Sequence, residues 1–190
     1  MRPKDDAKVE AIYEATLRQI DEVGIAGATM ARIARDAGVA TGTLYTYFEN
    51  KHELLSKLYV RIKSGAVAEF VRDMPEDQPY RIAFRRVWLN MLLFNVQRHL
   101  EGTFMAQFYR STYISEETRA EGLRLFQPIN ALLDRGKREQ LVRDVDNTLL
   151  HAAISGPIYE TAQLVHEGRL TLNDETIEQV FQMTWDSIKA

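Results

Sequence analysis

The stretch from Thr29 to Glu53, TMARIARDAGVATGTLYTYFENKHE, leaves little freedom in how it can fold. Thr29 is a good N-cap, and Ile33, Ala34 and Ala37 behind it give a short helix one small apolar face. Gly38 stands where a helix C-terminus wants a residue free to take φ > 0, and Val39 supplies the apolar contact that follows such a cap. A second helix starts near Thr41 and reaches about Tyr47, with Leu44 and Phe48 (i, i+4) on its inner side. Its outer face carries Thr41, Gly42, Tyr45 and Thr46, which are small, hydroxyl-bearing or aromatic, and uncharged. Asn50 caps a third helix, with Glu53 in the capping-box position. A helix this short lies far below the ~12–15 residues that persist alone in water, so its neighbours must dock it. Two short helices around a glycine turn, the second with a polar face outward, make a helix-turn-helix pattern. Taken alone, the same pattern also fits a three-helix corner of an ordinary bundle.

A resemblance decides between the two. Gly38-Val39-Ala40-Thr41-Gly42-Thr43-Leu44-Tyr45-Thr46-Tyr47-Phe48, followed by Asn50-Lys51 and Glu53-Leu54-Leu55, resembles the DNA-binding signature of the tetracycline-repressor (TetR) family of bacterial regulators. Gly24-Ile25 and Thr29-Met30-Ala31-Arg32-Ile33-Ala34 fit the same pattern upstream. The likeness covers about the first 60 residues; beyond them it extends only to length and helical character. It implies that Thr41, Gly42 and Tyr45 touch base edges or thymine methyls, and that Thr29, Thr43, Thr46, Tyr47 and Lys51 hold phosphates. The family often has Lys or Ser where this chain has Thr41, and His where it has Tyr47.

Length and composition set the outer bounds. At 190 residues, 45% apolar and 27% charged, the chain suits one or two soluble domains with a sizeable core. It has no cysteine, which excludes disulfides and thiolate zinc sites. No N-terminal apolar segment and no run near 18 apolar residues is present, so a cytoplasmic protein is expected. Up to Asp73 eleven Lys and Arg face eleven Asp and Glu, and the whole chain carries −3. A basic footprint is the usual mark of a phosphate binder. Here only local arrangement, with hydroxyls, helix N-termini and a few cations turned to the backbone, can supply one.

Periodicity predicts an all-α chain of about nine helices. The first runs from Asp6 to Val23, with Val9, Ile12, Thr16, Ile20 and Val23 inward, and ends at Gly24; Arg2 and Lys4 precede it on a mobile arm. After the two short helices, a long one spans Asn50 to about Met74, over 35 Å at ~1.5 Å per residue. Met74–Pro79 is the obvious linker. The expected organisation is a DNA-binding domain over residues 1–50, linked through the long helix 50–74 to a helical effector-binding and dimerisation domain over 75–190. Beyond the linker come helices over Tyr80–His99 and Glu101–Tyr113, and one from Ser115 kinked at Pro128. Two more run from Asp146 to His166 and from Asn173 to Ile188. Val87–Val96 is apolar nearly all round, so its helix is central, and Asn90 and Asn95 within it must find partners.

The last two helices are more apolar than a surface pair needs, and the first of them carries Ala152, Ala153, Ser155 and Gly156, which permit close approach of another helix. The resemblance implies that they pair with their copies in a twofold homodimer that binds an inverted-repeat operator on double-stranded DNA; packing within one chain is the alternative. It further implies a repressor released by a small-molecule effector. Trp88, Met91, Asn95, Phe104, Phe108, Phe126 and Tyr159 are the candidate effector contacts and suggest an apolar or aromatic molecule. A helical ligand-binding or adaptor protein without DNA binding is the second reading, favoured only by the neutral N-terminal charge. An enzyme is not expected. A di-iron bundle needs two Glu-x-x-His motifs, and Glu49–His52 is the only such spacing, astride a helix cap. There is no nucleophile elbow, P-loop or Rossmann glycine pattern, and no cofactor or metal is expected.

Overall fold

The computed structural model describes residues 3–75 and 77–190, with only the backbone at 3–5. Arg2 and the Lys4 side chain, expected on a mobile arm, lie outside the described residues. The described chain is all-helical, in the order α1 (Pro3–Gly27), α2 (Met30–Asp36), α3 (Thr41–Tyr47), α4 (Lys51–Phe70), α5 (Tyr80–Gln97), α6 (His99–Arg110), α7 (Glu116–Leu125), α8 (Gln127–Arg138), α9 (Asn147–His166) and α10 (Asp174–Ile188). Its β pairing among the described residues is one isolated antiparallel bridge, Val142 to Lys189.

Ten helices replace the expected nine because Pro128 starts a helix rather than kinking one. It sits in the first turn of α8, where its missing N–H breaks no helical bond, and Phe126 at the cap has left the helical region (φ −85°, ψ 1°). Two other ends also differ from expectation. Gly24 does not finish α1; it makes a non-helical step (φ 71°, ψ 170°), and one more turn follows to Gly27. Val23, expected inward, is left 40% exposed. α4 stops at Phe70, four residues short, so it spans about 30 Å. Its end is fixed from outside: Asn90 Nδ2 donates to Phe70 O (3.1 Å) and Arg72 O (2.9 Å), and Asp73 then turns the chain at φ 56°.

The chain forms two compact units. One holds the chain up to Lys63 together with Thr103–Gly122; the other holds Ser64–Gly102 and Leu123–Ala190. The first break thus falls inside α4, and most of α6 and α7 belongs with the helix-turn-helix. In the first unit Ile12, Ala15, Met30, Ile33, Ala34, Leu44, Phe48 and Leu54 make one core, drawn from α1 to α4. Tyr59, Phe104 and Phe108 are all fully buried there, with Phe108 5.3 Å from the Tyr59 ring and 5.5 Å from the Phe104 ring. In the second unit α5 is the central helix, with nine buried residues, and α9, α10 and α8 pack on it. Trp88 is fully buried and meets Phe181 edge-on at 5.2 Å.

Candidate nucleic-acid interface

The interface starts from the caps of α2. Thr29 Oγ1 accepts from Arg32 N (3.3 Å), which leaves its hydroxyl proton free to be donated outward. At the other end Gly38 (φ 68°) closes a Schellman turn: Gly38 N donates to Arg35 O (3.1 Å) and Val39 N to Ala34 O (2.9 Å). Val39 packs against the core below. That turn aims the chain directly into α3.

Within α3 only Leu44 is buried; Phe48, the C-cap, is 2% exposed. Burial of two such side chains offers roughly 1.5–3 kcal/mol each, enough to dock a two-turn helix that could not stand alone. Docking on that side leaves the opposite face of the helix outside. Thr41, Gly42 and Thr46 are exposed and Tyr45 is 50% exposed. A Cβ added at Gly42 would meet nothing within 4 Å, so the chain's own packing does not require glycine there. Thr46 Oγ1 donates to Thr43 O (2.7 Å) and must rotate to donate elsewhere. Thr43 is half-buried, and Tyr47 is half-buried against the core of the first unit.

Lys51 does something other than expected. Its ammonium donates to Ala28 O (2.7 Å) and Ile25 O, with Ala26 O at 3.5 Å, so it closes the carbonyl end of α1 instead of standing free for phosphate. The reason is local: α1 has no basic residue in its last turn. A second cation lies nearby. The guanidinium of Arg32, three residues after the Thr29 cap, has no hydrogen bond or ion pair among the described residues, while Arg18, Arg35, Lys57 and Arg61 are all paired with acids. Its place in the Thr29–Ala34 motif was the available signal.

Two further contacts brace the motif. Gln19, buried in α1, donates from Nε2 to Asp36 Oδ2 (2.7 Å) at the end of α2, and Arg35 Nε donates to Asp36 Oδ1 (2.9 Å). The Gln19 bond, then Arg35, holds the Asp36 carboxyl below the usual carboxylate value. The capping box after α3 forms with one shift. Glu53 N donates to Asn50 Oδ1 (3.0 Å), but Glu53 reaches back to Glu49 N rather than Asn50 N.

The candidate effector residues divide between the units. Trp88, Met91 and Asn95 lie at i, i+3, i+7 on α5 in the second unit, all buried, with Phe126 and Tyr159 half-buried elsewhere in it. Phe104 and Phe108 belong to the first unit. Asn90 and Asn95 both find partners, Asn95 Nδ2 on Met91 O at 2.8 Å. Yet Asn95 Oδ1 and Trp88 Nε1 are buried without one. A groove of about 510 Å³ in the second unit is lined by none of these residues; it runs along Arg81, Ile82, Arg85, Arg86 and Leu89 beside the 73–75 linker.

A glycine-turned pair of short helices, the second presenting a solvent-exposed, uncharged, hydroxyl-bearing face, defines a helix-turn-helix DNA-binding protein. Comparisons with known proteins agree. The family described as bacterial regulatory proteins, tetR family, matches residues 12–58, and the tetracyclin repressor-like C-terminal domain matches residues 79–189. The chain belongs to the TetR family of transcriptional regulators. An uncharacterised helix-turn-helix regulator of Haemophilus influenzae is 35% identical over 94 residues, half of each chain. The fatty acid metabolism regulator protein of Bacillus subtilis is 29% identical over 154 residues, covering 80% of this chain and 72% of that one. A TetR family transcription regulator from Marinobacter aquaeolei, 28% identical, superposes with a TM-score of 0.90 over 100% of this chain and 99% of its own. No described helix is long and apolar enough to cross a membrane.

Proposed function

We propose that this DNA-binding regulator acts as a homodimer on an inverted repeat, as a cytoplasmic repressor that a small apolar or aromatic effector releases. The observation that carries the DNA side of this reading is the outward face of α3. Thr41, Gly42 and Tyr45 touch base edges, and Thr29, Thr43, Thr46 and Tyr47 donate to phosphates, with Arg32 supplying the charge. Lys51 supports the site from behind.

Two stripes support a dimer through α9 and α10. Leu149 is 62% and Met183 70% exposed, the largest exposures among the described large hydrophobics. Ala152 and Gly156 continue the first stripe, and Val180 the second, at helical spacing. A twofold axis there sets two recognition helices on one face of a duplex, about one helical turn apart.

The effector contacts proposed are those of the second unit, Trp88, Met91, Asn95, Phe126 and Tyr159; Phe104 and Phe108 serve the core of the first unit. The buried, unpartnered Trp88 Nε1 and Asn95 Oδ1 favour a ligand with one acceptor and one donor on an otherwise apolar body. Such a ligand acts by binding the DNA-incompetent state better, typically by ~1–3 kcal/mol. The neutral N-terminal charge favours a second reading, an adaptor that does not read DNA.

Selection of duplexes from a random pool tests these readings together. The regulator enriches an inverted repeat whose binding weakens steeply with salt. An adaptor enriches nothing, and a monomeric reader enriches a single half-site.

A further inference from the structure

Lys51 opens α4, and its ammonium closes the carbonyl end of α1 at Ile25 and Ala28, 26 and 23 residues earlier in the chain. On its other side lies the ring of Tyr113, with the centroid 4.7 Å from Nζ. Tyr113 also holds the next residue of α4. The Tyr113 and His52 rings lie 5.0 Å apart, and His52 Nδ1 is 3.2 Å from Tyr113 O, which can only accept. Tyr113 therefore grips the first two residues of α4 from a segment of the same compact unit, 61 residues beyond His52 in sequence.

Its own position is fixed by the end of α6. Ser111 N (3.1 Å) and Ser111 Oγ (2.8 Å) both donate to Phe108 O, and Tyr113 N donates to Ser111 Oγ (3.2 Å). Phe108 is wedged between Tyr59 and Phe104. Contact is thus continuous from the α6 aromatics through Ser111 and Tyr113 to Lys51 and the Ile25–Ala28 turn. Thr29, the cap of α2, follows that turn directly.

We propose that Tyr113 and Lys51 are positioning residues for DNA binding. Tyr113 holds the Lys51 ammonium on the end of α1, and the clasp fixes the turn from which Thr29 and the helix-turn-helix start. Lys51 then contributes through geometry and not as a counter-charge to phosphate. The chemistry is suited to the task. A cation between a helix C-terminus and an aromatic face is attracted by both, and neither attraction depends on DNA. The idea rests on the DNA-binding reading above and adds to it a contact from the α6–α7 segment that acts on the recognition unit.

The test uses the full chain and the duplex that the wild type selects. Tyr113→Ala raises Kd about two- to fivefold, the scale of one exposed cation–ring contact, and Tyr113→Phe restores it. In both, the slope of log Kd against log salt stays at the wild-type value. Lys51→Ala weakens binding further, again without a change in slope, whereas loss of a phosphate ligand lowers the slope by about 0.9. Amide hydrogen exchange at residues 26–32 accelerates in Tyr113→Ala and Lys51→Ala but not in Tyr113→Phe. That measurement needs no duplex, so it tests the clasp even if the wild type selects none, a result that overturns only the DNA-binding reading. The clasp is overturned by unchanged exchange in Tyr113→Ala, by equal losses in Tyr113→Ala and Tyr113→Phe, or by a lower salt slope in Lys51→Ala. A loss of binding that merely tracks the unfolded fraction in far-ultraviolet circular dichroism overturns it as well.

Discussion

Two of the solvent-exposed helical faces among the described residues are chemically opposite. On α3 the open side chains are Thr41, Tyr45 and Thr46, with Gly42 between them. On α9 and α10 they are Leu149, Ala152 and Met183, with Gly156 and half-buried Val180. An isolated exposed leucine is unremarkable on a protein surface, but apolar residues aligned on neighbouring helices call for a cover. Hydroxyls on a helix too short to stand alone call for no cover; they serve a partner whose surface is itself hydrogen-bonding. On the reading proposed above, the apolar pair meets a second copy and the polar helix meets nucleic acid, and the contrast can be broken at either face.

The largest effect is expected at the apolar stripes. Leu149→Glu with Met183→Glu sets four carboxylates in the proposed twofold seam. Sedimentation then shows monomers, and binding to the two-half-site duplex falls by about a hundredfold or more, because the second half-site no longer adds its affinity. A dimeric double variant breaks the assignment of that face. Next is the docking of the polar helix. Leu44→Ala empties the single buried position of α3 and costs roughly 2–5 kcal/mol, measured by urea unfolding; a loss under 1 kcal/mol shows that α3 is not held as described. Tyr45→Ala removes a half-exposed ring without a core role, so stability changes within about 0.5 kcal/mol while DNA affinity falls about tenfold, a loss of ~1.4 kcal/mol.

The last expected effect is a pH dependence. Desolvation lowers the ammonium of half-buried Lys63 to about 8, against ~10.4 in the unfolded chain. Between those values the unfolded state binds more protons, so this residue makes unfolding free energy rise with pH from about 8 to about 10. Lys63→Met removes that rise. Unfolding followed at pH 7, 8.5 and 10 checks it, and an equal slope in both proteins contradicts it.

How much of this could be read in the sequence depends on how far apart the determinants lie. The turn between α2 and α3 was legible because Thr29, Gly38 and Val39 act within a few residues of themselves. The caps of α9 and α10 were legible too: Asp146 accepts from Thr148 N, and Asn173 from Thr176 N. What was not legible was set by distant partners. Lys51 looks like a free cation until Ile25 and Ala28 are brought beside it. α4 looks four residues longer until Asn90 takes up its last carbonyls. Pro128 permits either a kink or a new helix, and the choice lies with Phe126. Tyr113 reads as one aromatic among several, since nothing near it in sequence points to α4.

The account rests on the outer side of α3 lying against the duplex, and Gly42→Ala tests that most directly. A methyl there meets open space within the chain, and alanine favours a helix more than glycine does, so the variant is as stable as the wild type or slightly more so. On the selected duplex it binds about tenfold more weakly, because the methyl stands where the helix must come closest to the groove. Wild-type affinity and wild-type sequence preference in a stable Gly42→Ala dimer would contradict the account.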